Sequence, residues 1–224
     1  MIEDIVQQYD KFAKTFVEGT DTHNAISRKE YYTMLIDIAM KGKTILDVGC
    51  GDGYDIKLFE QQGAHCYGID ASNELVRLAS DNTQANIITG NMEHLPYEDQ
   101  TFDLVVSKYA LQASTKVPQV LAEMDRVLKP GGTMAYLAVH PLRQFLEKKK
   151  HPKDYFTQEI VTSVFFGGTV SAHEPTHTMN EYLNPEFLSK YRITHFSEHG
   201  DFPSSEKVNG DTYPCFFVLK AIKQ

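Results

Sequence analysis

Apolar residues recur at three- and four-residue steps over the first stretch of the chain, at Ile2, Ile5, Val6, Tyr9, Phe12, Ala13 and Phe16. That spacing predicts an amphipathic helix with an aromatic face. A second helix is expected after "SRKE" at Ser27 to Glu30, which has the S-x-x-E capping-box form and leads into a stripe of Tyr31, Met34, Leu35 and Ile38. From residue 43 the pattern changes to short, nearly continuous apolar runs alternating with helical ones. "KTILDV", "AHCYGID", "ANIITG", "FDLVVS" and "TMAYLAVH" read as strands. Between them lie a helix capped by Ser72 and a helix carrying Val117, Val120, Leu121, Met124, Val127 and Leu128, closed by "KPGG".

Such alternation implies a parallel sheet with helices on both faces, and apolar strands without a polar side agree with burial on both faces. The final runs, "YRITHFSEHG" and "TYPCFFVLKAIK", are joined by a polar stretch too short for a crossover helix, so they are expected to pair antiparallel. The expected fold is α/β: a Rossmann-like doubly wound sheet, mostly parallel with an antiparallel last strand, two N-terminal helices and an inserted cap. One domain is expected over 1–224, divided into N-terminal helices (1–41), a core (42–140), a cap rich in Phe, Tyr, His and Gly (141–191) and a final strand pair (192–224).

Composition narrows the function. The formal charge of -8 makes a polyanionic partner unfavourable, so no nucleic acid is expected. The basic run "EKKKHPK" at Glu147 to Lys153 reads as a solvated helix end. Cys50, Cys66 and Cys215 form an odd set without C-x-x-C spacing, which fits a reducing compartment. With no basic leader before an apolar run and no stretch near the ~18 apolar residues of a spanning helix, no membrane association is expected and a cytoplasmic location is.

The stretch "ILDVGCGDGYD", Ile45 to Asp55, places glycines between a strand and a helix, where backbone can approach a ligand and helix amides point at it. Gly49, Gly51 and Gly53 are spaced G-x-G-x-G, with Tyr54 where the dinucleotide fingerprint needs its third glycine, and no Gly-Lys-Ser/Thr follows. Asp70 ends the next strand, where a carboxylate can accept from both hydroxyls of a ribose; nicotinamide sites use an acid in the same way.

These residues resemble class I S-adenosylmethionine-dependent methyltransferases, whose first motif has the form acid-x-G-x-G-x-G, matched here by Asp47, Gly49, Gly51 and Gly53. The resemblance runs from about Tyr9 to Leu137 and is closest to the ubiquinone-biosynthesis-type small-molecule branch. It implies that Asp47 and the glycines hold the methionyl part of S-adenosylmethionine, that Asp70 holds the ribose, and that Asn91 and Met92 in "GNMEHLPYEDQTFDLVVS" meet the adenine. The family commonly has Asp where Asn91 stands, and an amide oxygen can accept from the adenine amino group without charge. Lys108 to Leu111, "KYAL", fall where the family meets cofactor and substrate, and Tyr9 and Phe16 resemble its N-terminal helix folded over the cofactor.

The acceptor is less legible. "SKYA" lacks the prolines of [DNS]-PP-[YF], which argues against a base amine, and the only "PC", at Pro214 and Cys215, lies in the last strand, where Cys215 reads as a small buried hydrophobe. His140, ending the fifth strand, is the candidate general base, with a strand-end histidine bonded to its own turn as the alternative. Tyr155, Phe156, Phe165, Phe166 and Tyr182 in the cap suit a flat or apolar acceptor, or pack the cap onto the sheet. "HEPTH", His173 to His177, has the H-E-x-x-H form, but Pro175 opposes the helix that would align its histidines, so no metal is expected. Methyl transfer from S-adenosylmethionine to a small molecule, leaving S-adenosylhomocysteine, is the expected function. A nicotinamide oxidoreductase and a non-catalytic S-adenosylmethionine-binding protein are the alternatives.

Overall fold

A computed structural model describes residues 2–165, 168, 170–200 and 208–224. Helices α1 (Ile2–His23) and α2 (Ala25–Leu35) precede an alternating core: β1 (Thr44–Val48), α3 (Tyr54–Gln61), β2 (His65–Asp70), α4 (Asn73–Asn82), β3 (Asn86–Thr89) and β4 (Phe102–Lys108). A 3-10 turn at Leu111–Ala113, α5 (Val117–Val127) and β5 (Leu128–Val139) follow. The cap holds the short α6 (Pro141–Arg143), a hairpin of β6 (Ile160–Phe165) and β7 (Val170–Pro175), and α7 (Met179–Tyr182) and α8 (Pro185–Lys190). Strands β8 (Tyr191–His199) and β9 (Phe216–Lys223) complete a sheet ordered β3-β2-β1-β4-β5-β9-β8.

Strands β1 to β5 pair in parallel, and β9 runs antiparallel to both β5 and β8, so β9 is the one reversed strand of the seven. Its insertion between β5 and β8 departs from the all-parallel dinucleotide order 3-2-1-4-5-6. The strand order reverses between β1 and β4, and there the carboxyl ends leave a crevice.

Both sheet faces are dry, for the reason the apolar runs implied. Leu46, Val48, Val105, Met134 and Tyr136 pack on α5, while Ile45, Leu104, Val106, Ala135 and Leu137 pack on α2 and α3. Ser72 caps α4 as expected, its Oγ accepting from the Leu75 amide at 3.1 Å.

Three local expectations are corrected. Ser27 does not cap α2: Asn24 precedes the helix and the Ser27 hydroxyl, inside it, donates back to the Asn24 carbonyl at 3.3 Å. β5 starts at Leu128, so "KPGG" lies inside the strand, where the pairing with β4 shifts register between Phe102 and Leu104. The basic run is not wholly solvated, because Lys149 is 4% exposed and its ammonium donates to the carbonyls of Asp154 and Thr157. Lys153 likewise donates to the Leu146 carbonyl, so these cations cap loop backbone.

Candidate functional site

The glycine loop is the first wall of the site. After β1, the amides of Gly49 and Cys50 both donate to the Ile69 carbonyl, at 2.7 and 3.1 Å, and the Gly51 amide donates to Asp70 Oδ2 at 2.9 Å. The turn requires positive φ at Gly49 (77°) and Gly51 (57°). Packing separates the two positions: a Cβ on Gly49 would lie 2.1 Å from Ala110 Cβ, whereas one on Gly51 would meet nothing within 4 Å.

Above the carboxyl edge lies a cavity of about 350 Å³. Its floor comes from Gly49, Ile69 and Asp70, one side from Asn91 and Met92, and the other from Tyr109, Ala110 and Ala113. α1 roofs it with Ile5, Val6, Tyr9 and Phe16, so part of the aromatic stripe faces the cavity rather than the core. A neighbouring cavity of about 100 Å³ shares Phe16, Gly49 and Leu75 as walls and adds Arg28, Asp52, Tyr54, Asp55 and Lys108.

Two polar clasps hold the roof. The Gln8 carboxamide donates to the His173 carbonyl at 2.7 Å and accepts from the His173 amide at 2.8 Å, as a neighbouring strand would on the edge of β7. Asp10 accepts from Ser72 Oγ at 2.6 Å and from the Glu74 amide at 3.1 Å, tying α1 to the first turn of α4.

Carboxylates outnumber cations in the site: Asp47, Asp52, Asp55 and Asp70 stand beside Lys108 and Arg28. Burial pushes the Asp47 carboxyl well above its ordinary value, with Asp55, Asp70 and Asp52 adding to the shift and Lys108 opposing it. The Asp47 side chain is 2% exposed and takes no hydrogen bond among the described residues. The Tyr31 hydroxyl, buried with no hydrogen-bond partner among them, lies close enough to Asp55 and Asp47 to be raised by both after its burial. Lys108 is committed to Asp55 at 2.6 Å, and Tyr32 also donates to that carboxylate. Arg28 lies over the Tyr54 ring, 4.5 Å from its centroid. Burial also raises Asp70, against the pull of the Ser72, Gly51 and Ala71 amides, and raises the Tyr9 phenol, with Glu174 and Asp70 adding to the effect.

The structure brings Tyr9, Gly49, Asp70, Asn91 and Met92 together around the larger cavity and puts Lys108 on the smaller one. Asp47, Gly51 and Gly53 stand behind these walls; Gly53 precedes α3 at φ 78°, where a Cβ would sit 2.8 Å from Thr83 Cγ2. The Asn91 amide oxygen accepts from the Glu93 amide at 2.8 Å, so one of its two acceptor directions is used within its own loop. The expected contact with an adenine amino group would have to use the other.

His140 takes no part in either cavity. Its Nδ1 accepts from the Leu142 amide at 3.0 Å, capping α6, which leaves Nε2 to carry the proton toward Glu198 Oε1 at 2.7 Å. Both nitrogens are engaged away from the cavity, as in a strand-end histidine bonded to its turn. The cap side chains are also placed elsewhere: Tyr182 is fully buried against Tyr136 and Phe217, Phe156 is 83% exposed, and the Tyr155 hydroxyl accepts from the Met179 amide. The side chains of residues 165 and 166 lie outside the described residues. Among those described, nothing from 141–191 lines the larger cavity, and the cap reaches it through the Gln8 clasp on α1.

His173 and Glu174 sit on opposite faces of β7, the first exposed and the second buried, so "HEPTH" forms no helical pair. His195 and His199, on β8, both face Ser197 Oγ. Among the described residues no three His, Cys, Asp or Glu side chains gather as a metal site.

Sequence reasoning missed Glu93 and Ser114 as cavity residues, while Tyr109 and Ala110 fall within the expected "KYAL" segment. Tyr109 has φ 54°, uncommon for a bulky residue, with its amide donating to the Leu137 carbonyl and its own carbonyl accepting from Gln112 Nε2 at 2.7 Å. The "KYAL" segment marked the place but not the backbone turn that puts the ring in the wall.

Residues 46–136 match the family described as a methyltransferase domain. Curated relatives include the demethylmenaquinone methyltransferase of Listeria welshimeri, 36% identical over 117 residues that make up 48% of this chain and 49% of the relative. The malonyl-[acyl-carrier protein] O-methyltransferase of Pectobacterium atrosepticum is 32% identical over 99 residues, 44% of this chain and 39% of that protein. The chain thus spans about half the length of these relatives or less. Over nearly its whole length it is similar to an S-adenosylmethionine-dependent methyltransferase structure from Mesorhizobium loti, with TM-score 0.70 and 22% identity over 92% of this chain and 100% of that one. A structure titled as a DhpI complex with SAH gives TM-score 0.67 at 13% identity, covering 99% and 96% of the two chains. At these identities the structural likeness establishes the fold.

Proposed function

We propose that the protein, whose residues 46–136 match the family described as a methyltransferase domain and whose fold is that of S-adenosylmethionine-dependent methyltransferase structures, transfers a methyl group from S-adenosylmethionine to a small-molecule acceptor. The observation that carries the proposal is the pair of adjoining cavities meeting at Gly49, one uncharged along most of its wall with Asp70 at its floor, the other holding Arg28, Lys108 and Asp55 beside buried Asp47. S-adenosylmethionine, when bound, supplies an electrophilic methyl group on a sulfonium. Met92 and Asn91 hold its adenine, and Asp70, fixed by two backbone amides, keeps lone pairs for the ribose hydroxyls. Asp47 answers the methionyl ammonium, which would relieve the cost of its own burial, and Arg28 answers the carboxylate.

The roof of α1 excludes water, and the orientation so imposed is the main catalytic resource: holding reactants in line is worth about 7 to 11 kcal/mol. A general base adds ~10² to 10⁴-fold only where the acceptor must lose a proton. His140, with both nitrogens engaged outside the cavity, is not proposed for that role. The reading extends to a cytoplasmic enzyme, supported by three buried free cysteines, and excludes nucleic acid on the grounds of net charge. No helix of the described residues is long and apolar enough to cross a membrane.

The test is release of S-adenosylhomocysteine when the protein is mixed with S-adenosylmethionine and pooled small-molecule acceptors. Acceptor-dependent release supports the proposal. Tight cofactor binding with no release across amine, hydroxyl, thiol and carbon acceptors would favour a non-catalytic binding protein.

A further inference from the structure

The clasp between Gln8 and His173 brings two further side chains together. Because the Gln8 carboxamide bridges the His173 carbonyl and amide, at 2.7 and 2.8 Å, the next residues of the two elements, Tyr9 on α1 and Glu174 on β7, are neighbours. Side chains alternate along β7, so His173 is exposed and Glu174, 5% exposed, points inward with Ala172. β7 packs against α1 and the 3-10 turn Leu111–Ala113, which supply Tyr9 and Ala113 to the wall of the larger cavity. Glu174 therefore stands behind that wall, close enough to the Tyr9 phenol to raise it.

Glu174 is a buried acid without a cation of its own. Ser163 Oγ donates to its Oε1, and the Gln144 side chain adds a second hydrogen bond. Burial holds its carboxyl above the ordinary value, with those two bonds, Lys148 and His177 pulling against it. Among the described residues no cation pairs with it: Lys148 lies 3.5 Å from Glu147, and His177 bonds the Gln112 carbonyl and faces Glu181. A buried carboxylate left in this way is costly unless something bound answers it.

The other acids of the site have partners that stay the same whether or not the methyl group is present. Asp70 is fixed by two amides and faces the ribose, Glu93 is paired with Lys116 at 3.3 Å, Asp55 with Lys108 at 2.6 Å, and Asp47 answers the methionyl ammonium. The sulfonium of a cofactor so bound lies between ribose and methionyl group, where the two cavities meet at Gly49. Phe16 is a wall of both cavities there, and the Tyr9 ring centroid is 5.0 Å from its own.

Resting on the methyl-transfer reading, we infer that Glu174 is the counter-charge of the sulfonium, acting across the Tyr9 wall to hold S-adenosylmethionine in preference to S-adenosylhomocysteine. On transfer the bond from sulfur to the methyl carbon breaks with its electron pair left on sulfur, while an electron pair of the acceptor bonds that carbon. Sulfur thereby becomes a neutral thioether. The attraction to Glu174 is lost at that step, so the spent cofactor is held more weakly than the fresh one that replaces it. Glu174 touches no reacting atom in this role.

Titration calorimetry of wild type, Glu174→Gln and Glu174→Asp, each with S-adenosylmethionine and with S-adenosylhomocysteine, needs no acceptor. Glu174→Gln keeps the shape of the side chain and removes a buried charge, so it should melt no lower than wild type. Its affinity for S-adenosylmethionine should fall about tenfold, the order expected for unit charges coupled across about 10 Å at a protein's effective dielectric, while S-adenosylhomocysteine changes by no more than about twofold. Glu174→Asp keeps the charge and should retain most of the wild-type preference. An unchanged ratio of the two affinities in Glu174→Gln overturns the inference. Equal weakening or loss of both ligands overturns it too, being what a purely structural role would give, as does a Glu174→Asp ratio no better than that of Glu174→Gln. If wild type itself fails to bind S-adenosylhomocysteine, the donor reading falls instead.

Discussion

Replacing Gly49 by Ala tests how the site is tied to the fold. The backbone there has φ 77°, and left-handed backbone costs an L-residue about 1 to 2 kcal/mol. The new methyl would fall 2.1 Å from Ala110 Cβ, well inside contact distance, and overpacking of this kind costs about 1 to 3 kcal/mol more. The sum is about 2 to 5 kcal/mol, and at roughly 2 to 4 °C per kcal/mol in a chain of this size the melting temperature should fall by about 4 to 20 °C. Gly51→Ala is the matched control: its φ of 57° carries the backbone term, but its Cβ would meet nothing within 4 Å, so the loss should stay near 1 to 2 kcal/mol. The clash has a named partner, so Ala110→Gly in the Gly49→Ala background should return about 1 to 3 kcal/mol, less the roughly 0.5 to 1 kcal/mol that the new glycine costs on its own. Urea unfolding of the four proteins closes the cycle. Equal losses at positions 49 and 51, or no coupling between 49 and 110, would refute the claim that Gly49 is dictated by the approach of the β4 turn.

Three further outcomes follow from the charges. Asp47 ionises against its burial, its carboxyl being held above the ordinary value; the native state is thus penalised as pH rises past about 3.9, where the unfolded chain ionises, toward the folded value. Asp47→Asn should therefore melt higher than wild type at neutral pH without ligand while binding S-adenosylhomocysteine at least about tenfold more weakly, and a lower melting point would contradict the assignment. Burial holds His140 below its ordinary value against the pull of Glu198, so stability is full above about pH 6.5 and falls as pH drops below it toward the folded value; urea melts of His140→Gln should lack that component, while its affinity for S-adenosylhomocysteine stays unchanged. Arg28→Ala should weaken S-adenosylhomocysteine by about tenfold or more yet leave 5'-methylthioadenosine, which has no methionyl carboxylate, as in wild type; equal losses for both ligands would place Arg28 outside the methionyl subsite.

The sheet was legible because buried parallel strands have no polar side to confuse the pattern, and "FDLVVS" and "TMAYLAVH" are apolar on both faces for that reason. The glycine loop was legible because its backbone geometry restricts the residue type. What escaped depends on contacts between distant segments. Position predicted that His140 would end a strand, but Glu198, 58 residues later, decides where its ring points. Gln8 gives no local sign that it will complete the edge of β7 at His173, 165 residues away. Ser27 and Glu30 satisfy a capping pattern, yet the break between the first two helices falls at Asn24, so the serine lies within the turn it was expected to start. The positive φ of Tyr109 is a tertiary choice, clamped by Leu137 and Gln112, and no residue type announced it.

The central claim is that the two joined cavities hold an adenosyl cofactor bearing an amino acid. Titration calorimetry of the wild-type protein with S-adenosylhomocysteine and, separately, with NAD tests it directly, with Asp70→Ala as the site control. One S-adenosylhomocysteine should bind per chain, weakened at least about tenfold by Asp70→Ala, with no saturable binding of NAD. Saturable NAD binding with none of S-adenosylhomocysteine would contradict it.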